Sequence, residues 1–185
     1  MDMGGDVAVI TARAAVRVEE RTMTTYDLAD EATIAATPAE IVRALLDEAA
    51  GRSHWWQPFL RMRQRGDTPP TEIGAILDFT LSGNGPLGQR WGSASFSGRV
   101  TAYEPERRLA LDYFDGDFRG TAEWTLHPVD AAHTRIATWW MTDPYGGMRL
   151  WSRIVDVPGT QSKVMQEGFR AIERFAAERR AEPPT

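Results

Sequence analysis

"ATIAATPAEIVRALLD", residues 32–47, changes its period half-way, and that change decides the fold. Up to Ala36 apolar side chains fall on alternate residues: Tyr26 and Leu28, then Ala32, Ile34 and Ala36. That is the pattern of a half-buried strand. Thr37 then offers an N-cap, Pro38 suits a first helical position where no N–H is needed, and Glu40 completes a capping box. Ile41 and Leu45, with Val42 and Ala49, make one apolar stripe, and Gly51 ends the helix. "SHWWQPFL" (53–60) follows as a short turn or a second small helix.

Downstream, from 59 to 142, period-two segments alternate with turn signals. The segments are "FLRMRQRG", "GAILDFTLSG", "SASFSGRVTAY", "RLALDYF", "FRGTAEWTL" and "HTRIATWWMT". Between them lie "GDTPPTEIG", "GNGPLG", "EPER", "DGD" and "HPVDAAH". Six strands on short loops make an antiparallel meander. "GNGPLG" (83–88) fits G-x-G-x-x-G by letter, but a dinucleotide site needs a helix to start there, and the strand "RWGSASFSGRV" follows instead. It reads as a flexible hairpin loop.

After residue 142 the period lengthens. Asp143-Pro144 suggests an N-cap and first turn. Met148, Trp151, Val155, Pro158, Ser162, Met165, Phe169, Ile172 and Ala176 follow at steps of three and four, one helical stripe that Pro158-Gly159 kinks or splits. The order is therefore strand, one or two short helices, six strands and a long C-terminal helix: an α+β chain. A sheet apolar on one face needs a cover, and only the last helix is long enough.

Composition narrows the function classes. The 185 residues suit one domain, and 42% hydrophobic content suits a packed core. A net charge of −5 speaks against a nucleic-acid surface. The absence of cysteine removes disulfides, thiolate nucleophiles and zinc ribbons, and fits a cytoplasmic protein. No stretch reaches the length of a membrane span, and "VAVITARAAVRV", broken by Arg13 and Arg17, is no signal peptide. Residues 1–24 read as a flexible arm, 25–180 as the domain, and 181–185 as a disordered tail.

The order of elements resembles the helix-grip fold of the START-like (SRPBCC) superfamily. That group includes birch-pollen-allergen-like proteins and the bacterial polyketide cyclase/dehydrase and lipid transport family. The resemblance rests on "ATIAATPAEIVRALLD", the Trp-rich "HWWQP", "GRVTAYEPERRLAL", "GTAEWTLHP" with "TRIATWW", and the closing "MQEGFRAIERF". It implies a curved seven-stranded antiparallel sheet wrapped around the C-terminal helix, with two short helices after the first strand. It also implies a cavity, open at one end, that holds lipids, sterols, polyketides or other apolar molecules. Some relatives cyclise, dehydrate or hydrolyse a substrate there, and others act as co-chaperones.

In that frame Trp55 and Trp56 border the cavity mouth. Adjacent residues are expected to point apart, so one tryptophan is core and the other meets ligand. Phe79, Phe96, Tyr113, Phe118, Trp124 and Trp140 fall on the inward phase of the strands, and Met165, Phe169 and Ile172 face them from the helix. They form either a solid core or a cavity wall, and the resemblance favours the wall. Gly98, Gly120 and Gly168 would leave room or let the sheet bend. Tyr113 is the candidate for orienting a ligand, and the one named candidate for catalysis. Asp112 and Glu123 lie on the outward phase and should pair with Arg99 or Arg135.

His54, His127 and His133 have no metal-ligand spacing, "DGD" (115–117) reads as a tight turn, and neither metal nor cofactor is expected. The expected function is binding of a small hydrophobic molecule, without membrane insertion. A polyketide aromatase/cyclase using the same cavity is the alternative. A co-chaperone-like protein-binding module is another, with Trp139 on an exposed patch; a homodimer through that face accounts for Trp139 equally well.

Overall fold

The computed structural model describes residues 11–17, 25–84 and 90–182. Among them, eight strands form one antiparallel sheet: β1 (Thr11–Arg17), β2 (Thr25–Ile34), β3 (Leu60–Arg65), β4 (Ile76–Asn84), β5 (Arg90–Glu104), β6 (Arg108–Gly116), β7 (Phe118–Pro128) and β8 (Thr134–Pro144). β3 to β8 are neighbours in chain order, the meander that the turn signals predict, and β2 pairs with β8 (Leu28 opposite Trp140, Asp30 opposite Thr138). The seven strands expected from the alternation are all present.

β1 is the addition. Residues 11–17 fall within the expected flexible arm, yet they pair with β2 from Arg17 opposite Thr25 to Thr11 opposite Glu31. The pairing satisfies a row of backbone groups on β2 that would otherwise form a bare edge. The other residues of that arm (1–10 and 18–24), and 183–185 of the expected tail, lie outside the described residues, as does most of "GNGPLG".

Three helices complete the described chain. α1 (Pro38–Ala49) carries the predicted capping box: the Thr37 N–H donates to Glu40 Oε2 at 2.8 Å, and the Glu40 N–H to Thr37 Oγ at 3.3 Å. Ile41, Ala44, Leu45 and Ala49 are its buried apolar positions, and Asp47 and Glu48 are buried beside them. No second helix follows it; residues 50–59 are turns. The expected break near Pro158 also takes another form. β8 runs on through Asp143 and Pro144, where Asp143 accepts a 2.7 Å hydrogen bond from Thr25 Oγ. A single turn, α2 (Met148–Trp151), comes next. α3 (Val157–Ala181) then begins with Pro158 in its first turn instead of bending there, because proline's fixed φ and missing N–H suit a first turn. Asp156 caps it by accepting from the Gly159 N–H at 3.0 Å.

α3 lies across the concave face of the sheet and buries Val164, Met165, Phe169, Ile172 and Ala176. Curvature comes from irregularities in β5 after Ser97 and Val100, and from Gly120 in β7. Gly120 has φ +134°, and a Cβ there would run into the Met141 carbonyl. The result is a helix-grip fold with one sheet, one long helix and the core between them.

Candidate functional site

The inward aromatic side chains form a continuous row across the sheet. Tyr26 stacks on Trp140 (centroids 6.0 Å apart), Trp140 meets Phe118 (5.1 Å), Phe118 meets Phe96 (5.6 Å) and Phe96 stacks on Phe79 (5.2 Å). All six aromatic residues expected on that face are buried there. They do not share one cavity. Phe96, Phe118 and Trp140 line a pocket of about 120 Å³ with Leu81, Ala94 and Val157. Its outer wall is α2 and the segment after it: Met148, Trp151 and Val155. Phe79, Tyr113, Trp124, Trp56 and Met165 surround a deeper void of only about 30 Å³. Phe169 and Ile172 pack as fully buried core. The interior is therefore largely filled, and its open part lies at the α2 end.

Trp55 and Trp56 depart from expectation. They point the same way and stack with centroids 4.9 Å apart and planes 13° from parallel. Alternation holds for strands, and these residues sit in a turn. The Trp55 indole N–H donates to the Ala44 carbonyl at 2.8 Å, and that of Trp56 to the Val164 carbonyl at 3.1 Å, so the pair ties α1 to α3. Neither lines the 120 Å³ pocket. Trp56 borders the deep void, and Trp55 lies on an outer groove beside Phe175. The glycines expected to leave room are filled as well: the Trp56 indole covers Gly168, and the Tyr113 ring covers Gly98.

Residues 25–176 match the family of polyketide cyclase / dehydrase and lipid transport proteins. The chain belongs to this family. Solved structures with the same fold include TTHA0849 from Thermus thermophilus, with a TM-score of 0.61 at 14% identity over 83% of this chain and 98% of that one. Ginseng major latex-like protein 151 from Panax ginseng follows at 0.55 and 12% over 82% and 97%. StfQ, a di-domain ARO/CYC from the steffimycin biosynthetic pathway, aligns at 0.52 and 16% over 88% of this chain and 54% of that chain. No curated protein matches.

Within this cyclase/dehydrase and lipid transport fold, the polar groups are few. Tyr113 is buried, and burial pushes its hydroxyl well above the usual phenol range, so it stays protonated. Glu123 pairs with Arg108 at 2.7 Å, and not with Arg99 or Arg135. Asp112 stands opposite Arg99 in the ladder, and Arg99 lies over the Phe114 ring. His127 and His133 are exposed, and His133 Nδ1 sits 2.9 Å from Asp130 Oδ1. Arg63 lies 3.2 Å from His54 Nδ1. Trp139 is on the outer face, its indole N–H donating to Asp27.

Among the buried polar residues (Asp30, Asp47, Glu48, Ser97, Thr134, Thr138, Thr142 and Gln161), Asp30 and Gln161 stand next to the inward aromatic face without being evident in the sequence. Asp30 is 3% exposed on β2, accepts from Ser162 Oγ at 3.3 Å and leaves Oδ1 without a partner. Burial raises its pKa. Its signal was parity, since position 30 continues the Tyr26–Leu28 alternation. Gln161 lines both the pocket and the deep void. It stands three residues after Pro158 and four before Met165, on the same helical stripe.

Proposed function

We propose that this chain binds a small, largely apolar molecule in the pocket between β4, β5, β7, β8 and the start of α3. One observation carries the reading: a roughly 120 Å³ space walled by Phe96, Phe118, Trp140, Leu81 and Val157, closed from outside by one short helical turn. Burial of apolar ligand surface supplies about 25 cal/mol per Å², from which association costs are subtracted. α2 has no side-chain cap, and its Leu150, with Ile154 just after it, projects into solvent. A single exposed turn beside the pocket suits an entrance.

Binding is favoured over acid–base chemistry because none of the described residues lining this pocket is ionisable. Tyr113 lies deeper, and its raised pKa makes it a poor base. Phe79, Trp124, Met165, Phe169 and Ile172 support the pocket from behind, and Trp55 and Trp56 clamp the two helices.

The test is a titration of 15N-labelled protein with 2-methylnaphthalene, read on the indole N–H resonances. The expected result is movement of Trp140 and Trp151, with Trp55 and Trp139 unmoved. Shifts confined to Trp55 or Trp139, or no shift at all, would reject this pocket as the binding site.

A further inference from the structure

Gln161 breaks the apolar lining at its deepest point. It is 8% exposed, faces both the pocket and the small void beyond it, and its side-chain amide has no hydrogen-bond partner among the described residues. A primary amide carries two N–H donors and an acceptor oxygen. Gln161 is not among the sealed side chains that leave a buried atom unpartnered, which among the described residues are Asp30, Glu48, Thr134 and Thr142, so its amide opens onto the pocket's own space. On α3 the polar lining goes from half-buried Thr160 to buried Gln161. Beyond Gln161 the void is bordered by two further hydroxyl-bearing residues, Thr138 and Tyr113.

We propose that Gln161 reads the polar end of the ligand, and that the ligand is a neutral molecule, apolar over most of its surface, whose hydroxyl or carbonyl enters first. The inference rests on the pocket being the binding site. An amide can donate to a carbonyl, or donate to and accept from a hydroxyl. It cannot neutralise an ionised group, and no cation lies among the described lining residues. A carboxylate or phosphate would lose its hydration there without a countercharge. What stands behind this turn of α3 is another carboxyl: Ser162, the next residue, donates to buried Asp30.

The experiment uses three probes on one skeleton, 2-naphthol, 2-methylnaphthalene and 2-naphthoate, with dissociation constants measured at pH 7.5. The proteins are wild type, Gln161→Leu and Gln161→Met; the unbranched methionine carries the comparison if leucine prevents folding. The expected result is that the preference for 2-naphthol over 2-methylnaphthalene drops about tenfold in either variant, the worth of one net hydrogen bond. Binding of 2-methylnaphthalene itself should persist, and wild type should bind 2-naphthoate least. An unchanged preference, or 2-naphthoate bound tightest by wild type, overturns the role of Gln161 and leaves the pocket standing. Failure of wild type to bind 2-methylnaphthalene overturns the pocket reading and this inference with it.

Discussion

The indole of Trp56 occupies the space that a side chain at Gly168 would need: a Cβ built there stands 2.6 Å from Trp56 Nε1. Gly168→Ala sets two effects against each other. Alanine gains up to about 1 kcal/mol of helix propensity over glycine. Overpacking against a ring held by Trp124 and the Val164 carbonyl costs about 1–3 kcal/mol. The packing cost should win, so urea unfolding is expected to show a net loss of about 1–2 kcal/mol. A variant as stable as wild type would mean that the Trp55–Trp56 stack can slide.

Asp30 gives a pH dependence whose sign is determined. Burial raises its pKa above the ordinary 3.8, so the native state holds the proton more tightly than the unfolded chain. Stability is then lost as pH rises from the ordinary value through the native one, and the cost is constant above that. Asp30→Asn removes this cost. It should be more stable than wild type at pH 7, with the difference shrinking as pH falls through the raised native pKa and gone below about pH 4. Parallel urea melts from pH 3 to 8 decide it, and a variant less stable than wild type at pH 7 contradicts the assignment.

Gly120 is held at φ +134° with Met141 and Thr142 of β8 close against it. An alanine there meets both backbone strain and a collision with the Met141 carbonyl. Gly120→Ala should cost about 2–4 kcal/mol, among the larger effects a single methyl can produce. The thermal midpoint of the purified variant reads it directly. A near-neutral result would place the sheet's bend elsewhere, in the β5 irregularities.

Legibility in the sequence followed the regularity of the backbone. The alternation at Phe79, Phe96, Phe118 and Trp140 placed each on the concave face, because a strand leaves only two directions for a side chain. The capping box at Thr37 and Glu40 formed as read, since its partners lie three residues apart. Where the chain turns, local rules lost their hold. Trp55 and Trp56 stack because a turn imposes no alternation, and their partners on α1 and α3 are distant in sequence. Pro158 was readable as a break, but whether it bends one helix or starts another depends on how far β8 extends. Asp30 and Gln161 were hidden by chemistry rather than position. Both sit on apolar-phase sites, and only their burial distinguishes them from surface polar residues.

Trp151 separates binding from folding. It is 49% exposed on α2 and lines the pocket, so truncating it removes ligand contact without opening the core. Surface truncations usually change stability by less than about 0.5 kcal/mol. If about 50 Å² of indole is buried against the ligand, its loss is worth about 1.3 kcal/mol, close to tenfold in affinity. Trp151→Ala should therefore weaken 2-methylnaphthalene binding about tenfold at an unchanged urea midpoint. Leu150 and Ile154 flank it, are more exposed and do not line the pocket. Leu150→Ala and Ile154→Ala should leave the dissociation constant alone. An equal loss in all three variants would point to the whole apolar lip, and not to one wall residue, as what holds the ligand.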